Sequence, residues 1–243
     1  MPLRRRQLLQ LAAAGAGSGA YWLLGQHQRP TAAAAAHPEL RLGLISDLNA
    51  SYGSTTYIPQ VRQGLQQLLA RQPALVVCAG DMVAGQKRGL SANQLDAMWE
   101  SFAHTVLRPV RQAGLPFLPA VGNHDGSPGF EADRAAVRRF WTPRRQALGL
   151  HFVDAGDFPF HYSALQNDVF WLMWDASSSR IPAGQLSWAR QQLASPEAQQ
   201  ARLRLVVGHL PLVGVSQGRD RAGETLDQAA AVQSLLEQGR VQA

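Results

Sequence analysis

Four short apolar runs in this chain each stop at a residue able to bind a metal or handle a proton, and that repetition constrains the fold more than any other feature. Arg41–Ser46 reads as a buried strand ending at Asp47, and Leu75–Ala79 as a second ending at Gly80-Asp81. Phe117–Val121 stops at Gly122-Asn123-His124-Asp125, and Leu203–Val207 stops at Gly208-His209. Open α/β sheets build their sites at the carboxyl ends of strands, where loops from several strands converge. One charged residue at a strand end is ordinarily a solvated loop residue. Glycine-flanked Asp, Asn-His-Asp and His at four successive ends make a pattern that chance placement does not explain.

Helical spacing fills the gaps between these strands. Val61, Leu65, Leu68 and Leu69 recur at helical intervals within 58–70. Ser91 is an N-cap candidate for a long helix through Met98, Phe102, Val106 and Val110, ended by Gly114 and Pro116. Residues 158–165 and 168–175 read as a strand pair around Gln166-Asn167, 184–193 as a helix and 225–241 as another. Repeats are absent, and 46% apolar with 16% charged residues suffices for a sizeable core in a chain of 243.

The N-terminus has a different character. Arg4-Arg5-Arg6 precedes two leucines, a mildly apolar stretch to Leu24, and the small-residue run Ala32–Ala36. That is the layout of a secretory signal, and the paired arginines resemble a twin-arginine signal that exports folded proteins. The expected organisation is a signal peptide over 1–36, then one domain over 37–243. The expected destination is periplasmic, extracytoplasmic or the thylakoid lumen, with membrane association only through an uncleaved signal. Of 23 Lys+Arg, four (Arg4, Arg5, Arg6, Arg29) precede His37, leaving 19 against 17 Asp+Glu in the remainder. The basic excess therefore belongs largely to the leader and gives no support for nucleic-acid binding. The single Cys78, inside an apolar strand, excludes an internal disulfide and a thiolate zinc cluster and reads as a small buried hydrophobe.

The residues at the strand ends suit hard or borderline cations, which take carboxylate, amide and imidazole ligands. Two cations roughly 3.5–4 Å apart, bridged by one carboxylate, activate water and clamp a phosphoryl group.

Here the sequence resembles the calcineurin-like metallophosphoesterases, whose ordered motifs are D-x-H, G-D, G-N-H-[DE], a lone His and G-H-x-H. Gly80-Asp81, Gly122-Asn123-His124-Asp125 and His209 with its following Pro211 match in order. Trp174-Asp175-Ala176-Ser177 and Gly184-Gln185-Leu186-Ser187-Trp188 resemble the filler between them. The resemblance runs from about Arg41 to Val241. It implies an α/β fold, a β-sandwich flanked by helices, with a two-metal cleft along one edge. It also implies a phosphomonoesterase or phosphodiesterase with a small phosphate-ester substrate and two divalent ions, manganese foremost, with iron, zinc or magnesium also compatible. Asp47 and Asn49 would bind the first metal, Asp81 would bridge, and Asn123 and His209 would bind the second. His124 would not ligate; it would protonate the leaving alkoxide or stabilise the transition state, with Asp125 orienting it through an imidazole hydrogen bond.

Two departures accompany the match. Asp47-Leu48-Asn49 carries an amide where the family has an imidazole, and the chain stops at Ala243 before any G-H-x-H. The expected fold therefore lacks its C-terminal strands, and the alternative function is a relative that binds metal or a phosphate ligand without turnover. His27, His37, His104, His151 and His161 read as structural or surface residues. Substrate-facing loops are expected at 51–57, 84–90 and 216–224. Tyr52, Tyr57, Lys87, Arg88, Arg219 and Arg221 are candidate contacts there, each also readable as packing or solvated charge.

Overall fold

The computed structural model describes residues 39–219 and 223–242. The expected signal over 1–36, His37 and Arg221 lie outside them. Strands β1 (Leu42–Ile45), β2 (Leu75–Cys78) and β3 (Phe117–Pro119) form a parallel sheet in that order. Helix α1 (Pro59–Ala70) connects β1 to β2. Strands β4 (Phe152–Asp157), β5 (His161–Gln166), β6 (Val169–Met173) and β7 (Leu203–Val207) form a second sheet in chain order. Its first three strands are antiparallel, and β7 runs parallel to β6. The result is the α/β architecture anticipated, two sheets flanked by helices. The strand ends of β1, β2, β3 and β7 fall close to their expected positions.

The alternation along β6 shows how the layers stack. Val169, Trp171 and Met173 enter the main core with Val76, Val77 and Phe117 of the parallel sheet. Phe170 and Leu172 face the other way, into a second core. There they meet Leu186 and Leu193 of α6 (Ala183–Leu193) and Val232 and Leu235 of α7 (Ala229–Gln238). Every residue of β6 is buried, and each large apolar side chain contributes about 1.5–3 kcal/mol by leaving water. The Tyr162 hydroxyl on β5 donates to the Pro119 carbonyl on β3 at 2.9 Å, tying the sheets together without leaving a buried donor unpaired.

Helix α2 (Ala92–Phe102) begins as anticipated: Ser91 and Gln94 form a reciprocal capping box. The long helix expected to follow does not stay regular. Residues Ala103–Leu107 form a π turn before α3 (Arg108–Gln112), with the Arg108 N–H bonded back to the Ala103 carbonyl. Pro109 accounts for this, since its ring cannot donate and clashes with the carbonyl four residues earlier. The sequence reading had no counterpart for β4 or for α5 (Glu131–Trp141). The signal for α5 was present: Asp133, Ala136, Val137, Phe140 and Trp141 repeat at helical spacing, and all are buried. Phe140 stacks on Trp99 at 4.8 Å between centroids, and Trp141 on Phe117 at 5.9 Å, which holds α2 and α5 together against β3. Asn167 and Asp168, both at positive φ (55° and 59°), form the two-residue turn that joins β5 to β6. Among the described residues no helix is long and apolar enough to cross a membrane.

Candidate metal centre

Each ligand-type residue sits just beyond its strand, and the backbone there is unusual. Asp47 follows β1 and Asp81 follows β2, both in the left-handed region with φ of 53° and 54°. Non-glycine residues hold that conformation only where surrounding bonds over-determine it. They do so here. The Asp47 N–H donates to the Gly80 carbonyl at 3.1 Å, and the N–H groups of Leu48 and Asn49 both donate to the Asp81 carbonyl, at 2.9 and 3.2 Å. Gly80 has φ of 100°, and a Cβ there would sit 2.7 Å from His209 Nδ1. Only glycine lets the β2 loop approach the β7 loop this closely.

The short helix α4 (Asn123–Gly126) carries the third loop. Its His124 N–H donates to Asp81 Oδ1 at 2.9 Å. The Asp125 carboxylate is fully used by backbone. Oδ1 accepts from Met82 N–H at 2.8 Å and Val83 N–H at 2.9 Å, and Oδ2 accepts from Gly122 N–H at 2.8 Å. This corrects the expected role of Asp125. It does not accept a hydrogen bond from the His124 imidazole, whose buried Nδ1 has no partner among the described residues. Asp125 instead fastens the β2 loop to the β3 loop. Sequence cannot separate those roles, because an Asp following His fits both.

Asp47, Asp81 and His209 each offer a ligand atom within 4.8 Å of the others. Their hydrogen bonds fit metal binding. His209 Nδ1 lies 2.8 Å from the Ala79 carbonyl, which fixes Nδ1 as donor and leaves the Nε2 lone pair toward Asp81, 3.4 Å away. Asp47 Oδ2 accepts the Ser46 hydroxyl at 2.6 Å, leaving Oδ1 available. Asn123 Nδ2 donates to Gln86 Oε1 at 3.0 Å, leaving the amide oxygen free. Oxygen and imidazole donors in this mixture suit manganese, magnesium, iron or zinc.

Burial grades the cluster. Asp81 is 4% exposed, whereas Asp47 is exposed and Asn49 and Asn123 are intermediate. Burial alone would lower the His209 pKa, but the Asp81 carboxylate and the Ala79 carbonyl outweigh it and raise it to about 9. Burial, aided by the Asp81 charge, lifts Asp125 to about 7 against the pull of its backbone donors. Burial also pushes the Cys78 thiol well up, in keeping with an inert core residue.

Asp47, Asn49, Asp81, Asn123, His124 and His209 line a cleft of about 640 Å³ together with Tyr52, Gln86, Leu210, Pro211, Val215, Arg219 and Glu224. The four strand ends therefore converge as anticipated, and Asn49 and His124 join them. Of the other candidates, Tyr52 lines the cleft. Tyr57 packs, donating its hydroxyl to the Met82 carbonyl at 2.7 Å. Arg88 lies over the Phe130 ring, and Arg219 pairs with Glu224 at 2.7 Å. His161 is structural, half-buried against Trp188, and His104 lines a different groove. Gln86 was missed. Nothing local marks a loop glutamine as the partner of an asparagine on another strand. The buried Asp175, at the end of β6, is paired with Arg134 at 2.7 Å, and Arg134 also holds the Gly126 carbonyl at the end of α4.

The family model of the calcineurin-like phosphoesterases matches residues 40–243. The chain belongs to that family, whose members are metal-dependent hydrolases of phosphate esters, and its candidate ligands Asp47, Asp81 and His209 stand where the fold gathers them.

Proposed function

We propose that this chain hydrolyses small phosphate monoesters or diesters with two divalent cations held in the cleft. The observation that carries the reading is the gathering of Asp47, Asp81 and His209 within 4.8 Å beside His124. Asp47, Asn49 and Asp81 would hold one ion, and Asp81, Asn123 and His209 the other. Two such ions supply Lewis acidity toward the phosphoryl oxygens and lower the pKa of an attacking water. The chain's own residues do the rest. Asp81 keeps both positions in register, because its Oδ1 is fixed by the His124 N–H. Gln86 turns the Asn123 amide so that its oxygen is free. His124 Nε2, 3.9 Å from Asp81 Oδ2, carries the proton that passes to the ester oxygen as the P–O bond breaks, so the alcohol leaves neutral.

An amide at Asn49 in place of imidazole makes the first position harder, which favours manganese or magnesium over zinc. The N-terminal arginine pair supports export of the folded chain by the twin-arginine route. Replacing Arg4, Arg5 and Arg6 by lysine would then retain a fused reporter in the cytoplasm.

A second reading, a module that binds metal or a phosphate ligand without turnover, is favoured by one observation: among the described residues His124 Nδ1 has no orienting partner. Manganese-dependent hydrolysis of p-nitrophenyl phosphate and bis(p-nitrophenyl) phosphate, beside an Asp81→Asn control, separates the two. Turnover above the control supports the enzyme. Stoichiometric manganese binding with turnover equal to the control supports the binding module.

A further inference from the structure

Tyr52 is the only Phe, Tyr or Trp that the described residues bring to the cleft, and it stands against the proposed proton donor. Its ring centroid is 4.8 Å from that of His124, with the planes 31° apart. The His124 side chain is 17% exposed, whereas Tyr52 is 54% exposed. One part of the tyrosine ring therefore covers the imidazole while the rest is open to solvent.

The platform is fixed at both ends. Gly53, at φ of 83°, donates its N–H to the Ala84 carbonyl at 2.6 Å, and Ser54 N–H closes a turn onto the Ser51 carbonyl at 2.9 Å. Five residues beyond Tyr52, the Tyr57 hydroxyl is anchored on the Met82 carbonyl. Leu210, Pro211 and the 83% exposed Val215 add apolar wall to a cleft whose floor is otherwise carboxylate, amide and imidazole.

We infer that Tyr52 is a specificity residue that selects phosphate esters whose leaving group carries an aromatic ring within a bond or two of the ester oxygen. The inference rests on the phosphoesterase reading above. A group that protonates the ester oxygen must lie beside the leaving group, so whatever touches His124 from the solvent side meets that group first. A flat, partly open phenol ring in that place offers offset stacking to another ring and little to a short alkyl chain. Stacking on one aromatic side chain is worth roughly a tenfold preference, near the low end of the measured range. Because Tyr52 is not among the ligand residues, its effect falls on leaving-group choice, separately from metal loading.

The test is binding of two non-hydrolysable probes, phenylphosphonate and methylphosphonate, to the manganese-loaded full chain and its variants by calorimetry. The expected wild-type result is about tenfold tighter binding of phenylphosphonate. Tyr52→Leu is expected to shrink that ratio to within about twofold, and Tyr52→Phe to retain it. A ratio that survives in Tyr52→Leu, or that Tyr52→Phe loses equally, overturns the inference, as does equal binding of the two probes by wild type. Failure of both phosphonates to bind at any manganese concentration overturns the phosphoesterase reading and this inference with it.

Discussion

The two halves of the cleft are built to different standards. Around Asp81, Asp125 and His209, buried carboxylates and the imidazole all have partners, and three loops touch through glycine. Around Asp47, Asn49 and Tyr52 the side chains are exposed or half-exposed, and among the described residues the Asp47 carboxylate accepts a side-chain hydrogen bond only from its neighbour Ser46. Hydrogen bonds that fix a ligand before it binds reduce the ordering that binding costs. The buried half is therefore expected to fill first and hold its ion more tightly, with the open half adjusting to metal and substrate.

Substitutions at the two aspartates probe this comparison most strongly. Asp81→Asn is expected to lower kcat/KM by more than about a hundredfold and to empty both positions, because it removes the carboxylate proposed to serve both ions. Asp47→Asn is expected to keep about one ion per chain. Metal content measured after dialysis distinguishes them, and equal loss in both variants would break the asymmetry.

Next in size is stability without metal. Asp125→Asn places an NH₂ against a backbone N–H that now meets a carboxylate oxygen. That is expected to cost about 2 kcal/mol in urea unfolding, against roughly 0.5 kcal/mol or less for Asp47→Asn. Similar costs would show that the two halves are equally braced.

Acidity gives a third contrast. His209 in the metal-free fold has its pKa raised to about 9 from the ordinary 6.5, so its contribution to stability is complete below 6.5 and is lost as pH rises through 9. Asp125, raised to about 7, acts in the same direction: its contribution is complete below its ordinary range and gone above 7. The metal-free chain is therefore expected to melt lower at pH 9 than at pH 6.5. With saturating manganese the slope reverses, since the metal competes with the His209 proton. A metal-free melting temperature that climbs over this range would contradict the assignment.

The smallest effect expected is at Asn49. Asn49→His should raise zinc affinity of the open half about tenfold while leaving the buried half unchanged, as competition with a chromogenic chelator would report.

Much of this was legible in the sequence because it depended on local pattern. Apolar runs ending in Gly-Asp or Gly-Asn-His-Asp marked β2, β3 and the residues after them, and Ser91 marked the start of α2. The remainder depended on contacts between distant segments. Asp125 was placed in the site but given the wrong partner, because two of its three donors, Met82 and Val83, lie on a loop distant in sequence. Gln86 carried no signal at all, since its role exists only once the loop after β2 meets α4. β4 was obscured by a register shift and a glycine, which break the alternation that identifies a strand.

The bonds linking the loops also have a direction. Asp125 holds Met82 and Val83, the adjoining Asp81 carbonyl holds Leu48 and Asn49, and Gly80 holds Asp47. The site is thus a series assembly in which positional error accumulates toward Asp47. A change made at the open end stays there, whereas one made at Asp125 is handed down to every later part. A protein engineer, or natural drift, is therefore free to rework residues 50–52 for new substrates while Asp47 and Asn49 stay in place, and substitutions at the other end carry no such freedom.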